Sequence, residues 1–265
     1  MRPYLMIIAN NLKSLFAYRF HVIFQIVASA FAIVIQYFLW RSVFGANPDG
    51  VIRGMTFQQT FLYVSLATAI TVLMRTWADW EMCGQIRTGD IIMFFFKPID
   101  YMRYAFANSI GSMAGNFVTV TIPSLLIVFV AFQSRMTLGW NVLFFAVTIL
   151  GSCVLSFLFD FLVGTTCFWT LSIWGISVAK DFAILLLSGA LVPLCFFPDS
   201  LARVIGFMPF PYMYNLPLTI LTSTQSDIGA WSRGIAIQFA WIAGGYLLAR
   251  AYFAFSLKKL TVNGG

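Results

Sequence analysis

Charge is scarce in this chain of 265 residues: only 9% are Asp, Glu, Lys or Arg, nine acidic against sixteen basic. A soluble domain is about one quarter charged, so a soluble fold is excluded. Histidine occurs once, as His21, at the edge of the first long apolar stretch. The four cysteines (Cys83, Cys153, Cys167, Cys195) show neither CxxC pairing nor metal-ligand spacing. Cys153 and Cys167 fall inside apolar stretches, where a free thiol behaves as a small hydrophobe. None of the five lysines follows a glycine, which rules out GxxxxGK[ST] anywhere in the chain. HExxH is absent, one histidine cannot serve a Ser-His-Asp set, and no carboxylates cluster. The chain thus carries no visible catalytic machinery and is not read as an enzyme. Energy for uphill transport has to come from another subunit or an ion gradient. A basic run able to track phosphates is also missing, so the net charge of +7 does not point to nucleic acid. Arg2, Lys13 and Arg19 are spread along the first twenty residues with no small-residue cleavage site after them, and no cleavable signal peptide is expected.

What is present is apolar. The chain is 60% hydrophobic, with 29 Phe, 8 Trp and 10 Tyr, and its mean hydropathy is +0.87. A spanning helix needs about 20 mostly apolar residues. Seven uncharged windows qualify by eye, but Asp160 and the pair Lys180/Asp181 would then form two loops of almost no length. A six-span alternative treats 140–172 as one long helix, tilted or broken near Gly164, followed by a cytoplasmic turn over 173–181. Basic residues concentrate on the cytoplasmic side of membrane proteins. Six spans with both termini cytoplasmic put eleven basic residues inside and five outside (Arg41, Arg53, Arg135, Arg203, Arg233), whereas seven spans give nine and seven. The bias favours six: 20–44, 55–75, 104–133, 140–172, 181–198 and 231–256. The expected fold is an all-α integral membrane protein forming a single domain over 1–265.

Three segments between or before these spans are unusual. Residues 1–19 place Leu5, Ile8, Leu12, Leu15 and Phe16 at helical spacing among polar residues, the pattern of an amphipathic helix lying in the interface plane. Residues 76–103 hold the densest charge in the chain, with four acidic and four basic residues over 75–103 beside Trp77, Trp80 and Phe94–Phe96. Hydrocarbon will not hold that many charges, while the aromatics keep the segment near the interface. Within it, Gly89 can close one helix in the left-handed conformation and Asp90 can cap the next, IIMFFFK, which Lys97-Pro98 ends. The reading is a rigid helix–turn–helix or an ordinary connector. The third segment, 199–222, belongs to a region with five of the nine prolines (193, 198, 209, 211, 217) in 25 residues. Leu201–Met208 and Tyr212–Leu221 are too apolar for a free loop, so short helices dipping back into the outer leaflet are expected, their broken backbone buried against protein.

Two features of the spans stand out. Ala107, Gly111 and Gly115 form a small-residue stripe suited to close helix approach, within the molecule or in a dimer; Pro123 should kink the same span. Asp160, near the inner end of the fourth span, is a membrane-embedded polar candidate by default, or it simply reaches the cytoplasmic head groups, the reading favoured by its distance from the outer end.

The amphipathic N-terminal segment, IRTGDIIMFFFKPIDYMRYAFA (86–107) and LLSGALVPLCFFPDSLARVIGFMPFPYMYNLPLTIL (186–221) together resemble the permease subunit of type-2 ABC exporters, the ABC-2 superfamily, over essentially the whole chain. The nearest likeness is to half-size bacterial permeases of the daunorubicin-efflux kind. That resemblance implies a bacterial inner-membrane permease paired with a second permease, identical or homologous, the hetero-pair slightly favoured. The pair would sit on a dimer of ABC ATPase subunits. ATP and Mg would be bound by those subunits and no cofactor by this chain. It implies that 76–103 is a cytoplasmic coupling loop, with Arg87, Gly89, Asp90, Lys97, Pro98 and Asp100 receiving the ATPase stroke. Pro193, Pro198, Pro209 and Pro211 become candidates for an external gate, and the cargo is hydrophobic or amphipathic. The alternative is a self-contained secondary transporter or channel, which would show mid-membrane ionisable residues and inverted repeats with matching broken helices; the broken region 188–217 has no counterpart in the first half.

Overall fold

A computed structural model describes residues 6–7, 19–45, 50–96, 99–131, 139–223 and 227–259. Apart from one short hairpin, Val51–Ile52 (β1) with Met55–Thr56 (β2), the described residues form helices and turns. The amphipathic helix expected over 1–19 falls largely outside them, as do Lys97 and Pro98.

Helix α1 (Arg19–Phe44) is apolar on every side. Ile33, Trp40 and Phe44 are buried, while Phe24, Phe31 and Phe38 are exposed, as suits a helix in contact with lipid. Thr56 and Gln59 form a capping box that starts α2 (Phe57–Met74): the Thr56 hydroxyl accepts from the Gln59 N–H, and the Gln59 side chain accepts from the Thr56 N–H at 3.0 Å. α2 is the most enclosed of the long helices, with Tyr63, Val64 and Ala67 fully buried. Its final carbonyls do not go unpaired. Asn116 Nδ2 donates to Val72 O at 3.1 Å and Arg75 O at 3.0 Å, and Ser156 donates to Met74 O. The chain leaves helical geometry at 75–77 and re-enters it in α3 (Ala78–Thr88).

The next stretch is α4 (Tyr101–Asn116), a π turn (Phe117–Thr121) and α5 (Ile122–Ala131). Pro123 cannot donate a backbone bond, and the adjustment precedes it: the Ile122 N–H reaches back five residues to Phe117 O. Ala107, Gly111 and Gly115 are all buried within this one chain, so the stripe serves intramolecular packing. Helix α6 (Trp140–Thr165) packs against α3, α11 (Ile228–Ser256) and the short helix α10 (Asn215–Thr222). The break expected near Gly164 falls at Thr166, followed by the single turn α7 (Cys167–Thr170) and Leu171 in the left-handed region, φ 56°.

The expected turn over 173–181 is corrected: α8 (Trp174–Leu187) is already helical there. Adjacent charges at 180–181 read as a loop, but Lys180 is neutralised inside the fold, so the helix runs through it. After Ser188 come a 3-10 turn (Leu194–Phe196), α9 (Asp199–Gly206), a second 3-10 turn (Phe210–Tyr212) and α10. Pro193, Pro198 and Pro209 each stand immediately before one of these elements; Pro211 lies inside the second 3-10 turn and Pro217 in the first turn of α10. A missing N–H costs no bond at such positions. α10 buries Pro217, Leu218, Ile220 and Leu221, whereas α9 buries only Ile205.

Four helical stretches are long and apolar enough to cross a bilayer: Val22–Phe44, Phe57–Thr88, Tyr101–Val130 and Trp140–Thr170. α8, at 14 residues, extends roughly 21 Å, short of the roughly 30 Å hydrocarbon core. α11 has length in hand, but Gln238, Arg250 and its glycines dilute its apolarity.

Candidate functional site

The segment from α3 to α4 carries most of the residues singled out in the sequence. Gly89 ends α3 at φ 82°, the left-handed cap that its position predicts. The element beyond is a 3-10 turn over Asp90–Phe94 rather than an α-helix through Lys97. Asp90 does not cap it; its carboxylate accepts the Thr88 hydroxyl at 2.6 Å. The capping role belongs to Asp100, which accepts the Arg103 N–H at 3.0 Å and opens α4. Ile91 is fully buried in a cluster with Met82, Tyr101, Met102, Phe161 and Phe253, which pins the turn to the helices. Its tip faces outward: Met93, Phe95 and Phe96 are exposed, Phe96 by 85%. Arg87 is exposed as well.

Beside this turn a cleft of about 610 Å³ separates it from the C-terminal end of α11, lined by Phe94, Phe95, Ile99, Asp100, Arg250 and Phe253 among others. Arg250 pairs with Asp100 across it. Partial burial raises the Asp100 pKa, but the Arg250 hydrogen bond, the Arg103 N–H and both guanidinium charges outweigh it and hold the carboxyl below its ordinary value. A depressed carboxylate contributes stability above its unfolded pKa and loses it as pH falls through the folded one. Asp100→Asn should therefore destabilise the fold slightly at neutral pH, by under about 1 kcal/mol for so exposed a pair, read as a small drop in thermal midpoint. The difference should vanish on acidification through the carboxylate range. An unchanged difference in acid would show that the ion pair is not its source.

The root of the segment is more unusual. Lys180 of α8 donates to Asp79 of α3 at 2.9 Å and to Asp160 of α6, and also pairs with Asp181 at 3.2 Å. The Lys180 side chain is 8% exposed, and Asp79 and Asp160 are buried; Asp181 is largely exposed. Every oxygen of the two buried carboxylates has a donor. Asp79 Oδ1 accepts the Trp80 N–H at 2.9 Å, and Oδ2 accepts Ser177 and Lys180. Asp160 Oδ1 accepts Lys180, and Oδ2 accepts the Thr76 hydroxyl. Two buried carboxylates facing one ammonium leave an excess negative charge, and the Thr76 and Ser177 hydroxyls supply the compensating dipoles.

This geometry corrects the favoured reading of Asp160: it does not reach head groups but closes an internal ion cluster, because Lys180 sits on a helix within reach of it. Asp79 and Lys180 were missed as site residues. The signal was an isolated acid in one apolar stretch and an isolated base beside the next. Glu81, too, is turned inward, accepting from Asn108 at 2.5 Å and Gln85 at 3.2 Å. A second join lies alongside. Cys83 of α3 and Cys167 of α7 form a disulfide across 84 residues, so Cys167 is not a free thiol; Cys153 and Cys195 are free. Gly164 of α6 presses on α3 so closely that an added Cβ would lie 3.1 Å from the Asp79 backbone. α3 is thus fastened to α6, α7 and α8, not suspended as a loop.

The proline-rich segment forms a second assembly, packed along α6 from Ser152 to Phe159. The Tyr63 hydroxyl donates to Asn215 Oδ1 at 3.1 Å, the Asn215 N–H to Ser188 O at 3.1 Å, and Phe210 stacks on Phe159. Pro193 and Pro211 are buried; Pro193, Pro198 and Pro209 set the starts of short helices.

A comparison with curated proteins finds no match. Residues 10–264, nearly the whole sequence, match the ABC-2 family transporter protein model, and the chain belongs to that family.

Proposed function

We propose that this chain is the transmembrane subunit of an ATP-driven exporter, moving a hydrophobic or amphipathic substrate outward by alternating access. It would work with a dimer of ABC ATPase subunits, which bind ATP and Mg, and with a second permease, identical or homologous. The observation that carries this reading is the mechanical continuity of α3. One end presents Met93, Phe95 and Phe96 to solvent beyond the Gly89 turn, and the other is tied to α6 and α8 through Lys180. A push received at the tip is delivered to two helices at once. In this reading Arg87, Gly89, Asp90, Lys97, Pro98 and Asp100 belong to the ATPase-facing surface, and Asp160 belongs to the linkage behind it.

The same reading takes six crossings in a bacterial inner membrane, with both termini cytoplasmic. α8 makes the fifth crossing together with the turns that follow it, α11 makes the sixth, and 1–19 lies along the inner interface. The exposed Trp77, Trp80, Trp169 and Trp174 fit the inner membrane boundary. In a reducing cytoplasm the Cys83–Cys167 disulfide would be opened, leaving two thiols as a close sulfur contact between α3 and α7. The Pro193–Pro211 region becomes the outer gate.

Orientation is tested by single cysteines in a cysteine-free chain, expressed with its ATPase partner. A cysteine at Asn47 should react with an impermeant maleimide in intact cells, and one at Thr88 only after the membrane is opened. Labelling of Thr88 from outside would reverse the orientation and remove the ATPase surface from the cytoplasm.

A further inference from the structure

The outer assembly depends on one buried amide. Gln238 lies in the middle of α11 and is fully buried. Its Nε2 faces three acceptors, Tyr212 O at 2.8 Å, Thr148 O at 2.9 Å and Ser152 Oγ at 3.2 Å, and the Ser152 hydroxyl in turn donates to Thr148 O at 2.9 Å and faces Tyr212 O at 3.3 Å. Its Oε1 has no partner. Gly151 on α6 leaves room for that oxygen, since an added Cβ would lie 2.6 Å from it. Gln238 stands ten residues into α11 and Ser152 twelve residues into α6. Both are therefore roughly 15–18 Å from their helix starts, near half the depth of a bilayer. The backbone at Tyr212, between Pro209-Phe210-Pro211 and α10, is brought to that depth, where water is not available to satisfy it.

We propose that Gln238 is the positioning residue that holds the proline-rich segment shut, and that opening exchanges Tyr212 O for Ser152 Oγ as an acceptor. Nε2 has two hydrogens and three acceptors, one more than it needs. Release of the Tyr212 carbonyl leaves both N–H groups paired, to Thr148 O and Ser152 Oγ. The shut and open arrangements are therefore both satisfied on the Gln238 side; the Tyr212 carbonyl gives up Gln238 and its longer contact with the Ser152 hydroxyl, which keeps Thr148 O. The inference rests on the reading of this segment as an outer gate.

Cys153, adjacent to Ser152 and packed into the core cluster that holds Met213 and Tyr214, is a native reporter of lifting. The exposed Cys195 reports which side of the membrane the segment faces. The full chain, with its ATPase partner in sealed vesicles, is treated with an impermeant maleimide, and both cysteines are followed by mass spectrometry. Cys153 is scored from whichever side labels Cys195, so an inverted orientation would overturn the gate's outward placement without obscuring the latch. Gln238→Leu should raise the Cys153 rate about tenfold or more, as expected for loss of one buried hydrogen bond. Gly151→Ala should do the same by displacing the amide and should also lower the thermal midpoint. The double variant Gly151→Ala/Gln238→Ala removes the clash: its midpoint should return to that of Gln238→Ala while labelling stays fast, a separation that a purely structural role would not give. A Cys153 rate in monodisperse Gln238→Leu equal to that of the unaltered chain would overturn the proposal.

Discussion

Replacing Lys180 with methionine should be the most damaging single change in the molecule. The substitution keeps the length of the side chain but leaves Asp79 and Asp160 buried, facing each other across the space of the lost ammonium. Breaking a buried pair in this way costs about 3–5 kcal/mol, because the remaining charge is uncompensated. The expected result is a large fall in the thermal midpoint in detergent, or failure to obtain monodisperse protein. Replacing the whole set is predicted to behave differently. Asp79→Asn/Asp160→Asn/Lys180→Met removes every buried charge of the set at similar volume and leaves only the exposed Asp181, and neutral replacements of buried ion sets are often tolerated. The triple variant should fold and lose ATP-driven transport. A triple variant transporting at the unaltered rate would reduce the cluster to a packing device, and a Lys180→Met protein with an unchanged midpoint would remove the cluster from the account altogether.

Gly89→Val is expected to separate ATP hydrolysis from transport without harming the membrane fold. A Cβ at residue 89 would meet nothing within 4 Å, so the penalty comes from backbone conformation alone. The left-handed region costs an ordinary L-residue about 1–2 kcal/mol, and a β-branched one more. A penalty of that size corresponds to roughly tenfold weaker association with the ATPase subunit, read as co-purified partner and as loss of substrate-stimulated hydrolysis. Gly89→Asn is the control, since Asn enters the left-handed region with little cost; it should retain coupling. Asp90→Ala should have a milder effect, because it removes only the contact with the Thr88 hydroxyl. Equal behaviour of the Val and Asn variants would detach the shape of this turn from function.

Much of the scaffold could be read from local signals. Gly89 marked the end of α3, Pro123 the irregularity inside the third stretch, and the crowded prolines the short helices after Ser188. Each of these depends on a residue and its immediate neighbours. What could not be read depends on neighbours far away in sequence. Lys180-Asp181 resembles a loop until Asp79, 101 residues earlier, is placed beside it. Asp160 resembles an interfacial acid until Thr76, 84 residues earlier, donates to it. Gln238 shows nothing in its own helix to mark it; its meaning comes from Gly151 and from the Tyr212 carbonyl.

The Lys180 ammonium donates to two buried carboxylates on different helices, Asp79 and Asp160, and lies within ion-pair distance of its own neighbour Asp181. Each buried carboxylate takes its own N–H, in contrast to the surplus of acceptors around Gln238. Small displacements of α3 against α6 or α8 cannot be absorbed by sharing; a carboxylate is either held or released. Mechanical input at this end should therefore pass through the protein in discrete steps, with a threshold below which the helices move as one rigid piece. Such an arrangement would filter thermal jostling of the exposed aromatic tip from a single concerted push.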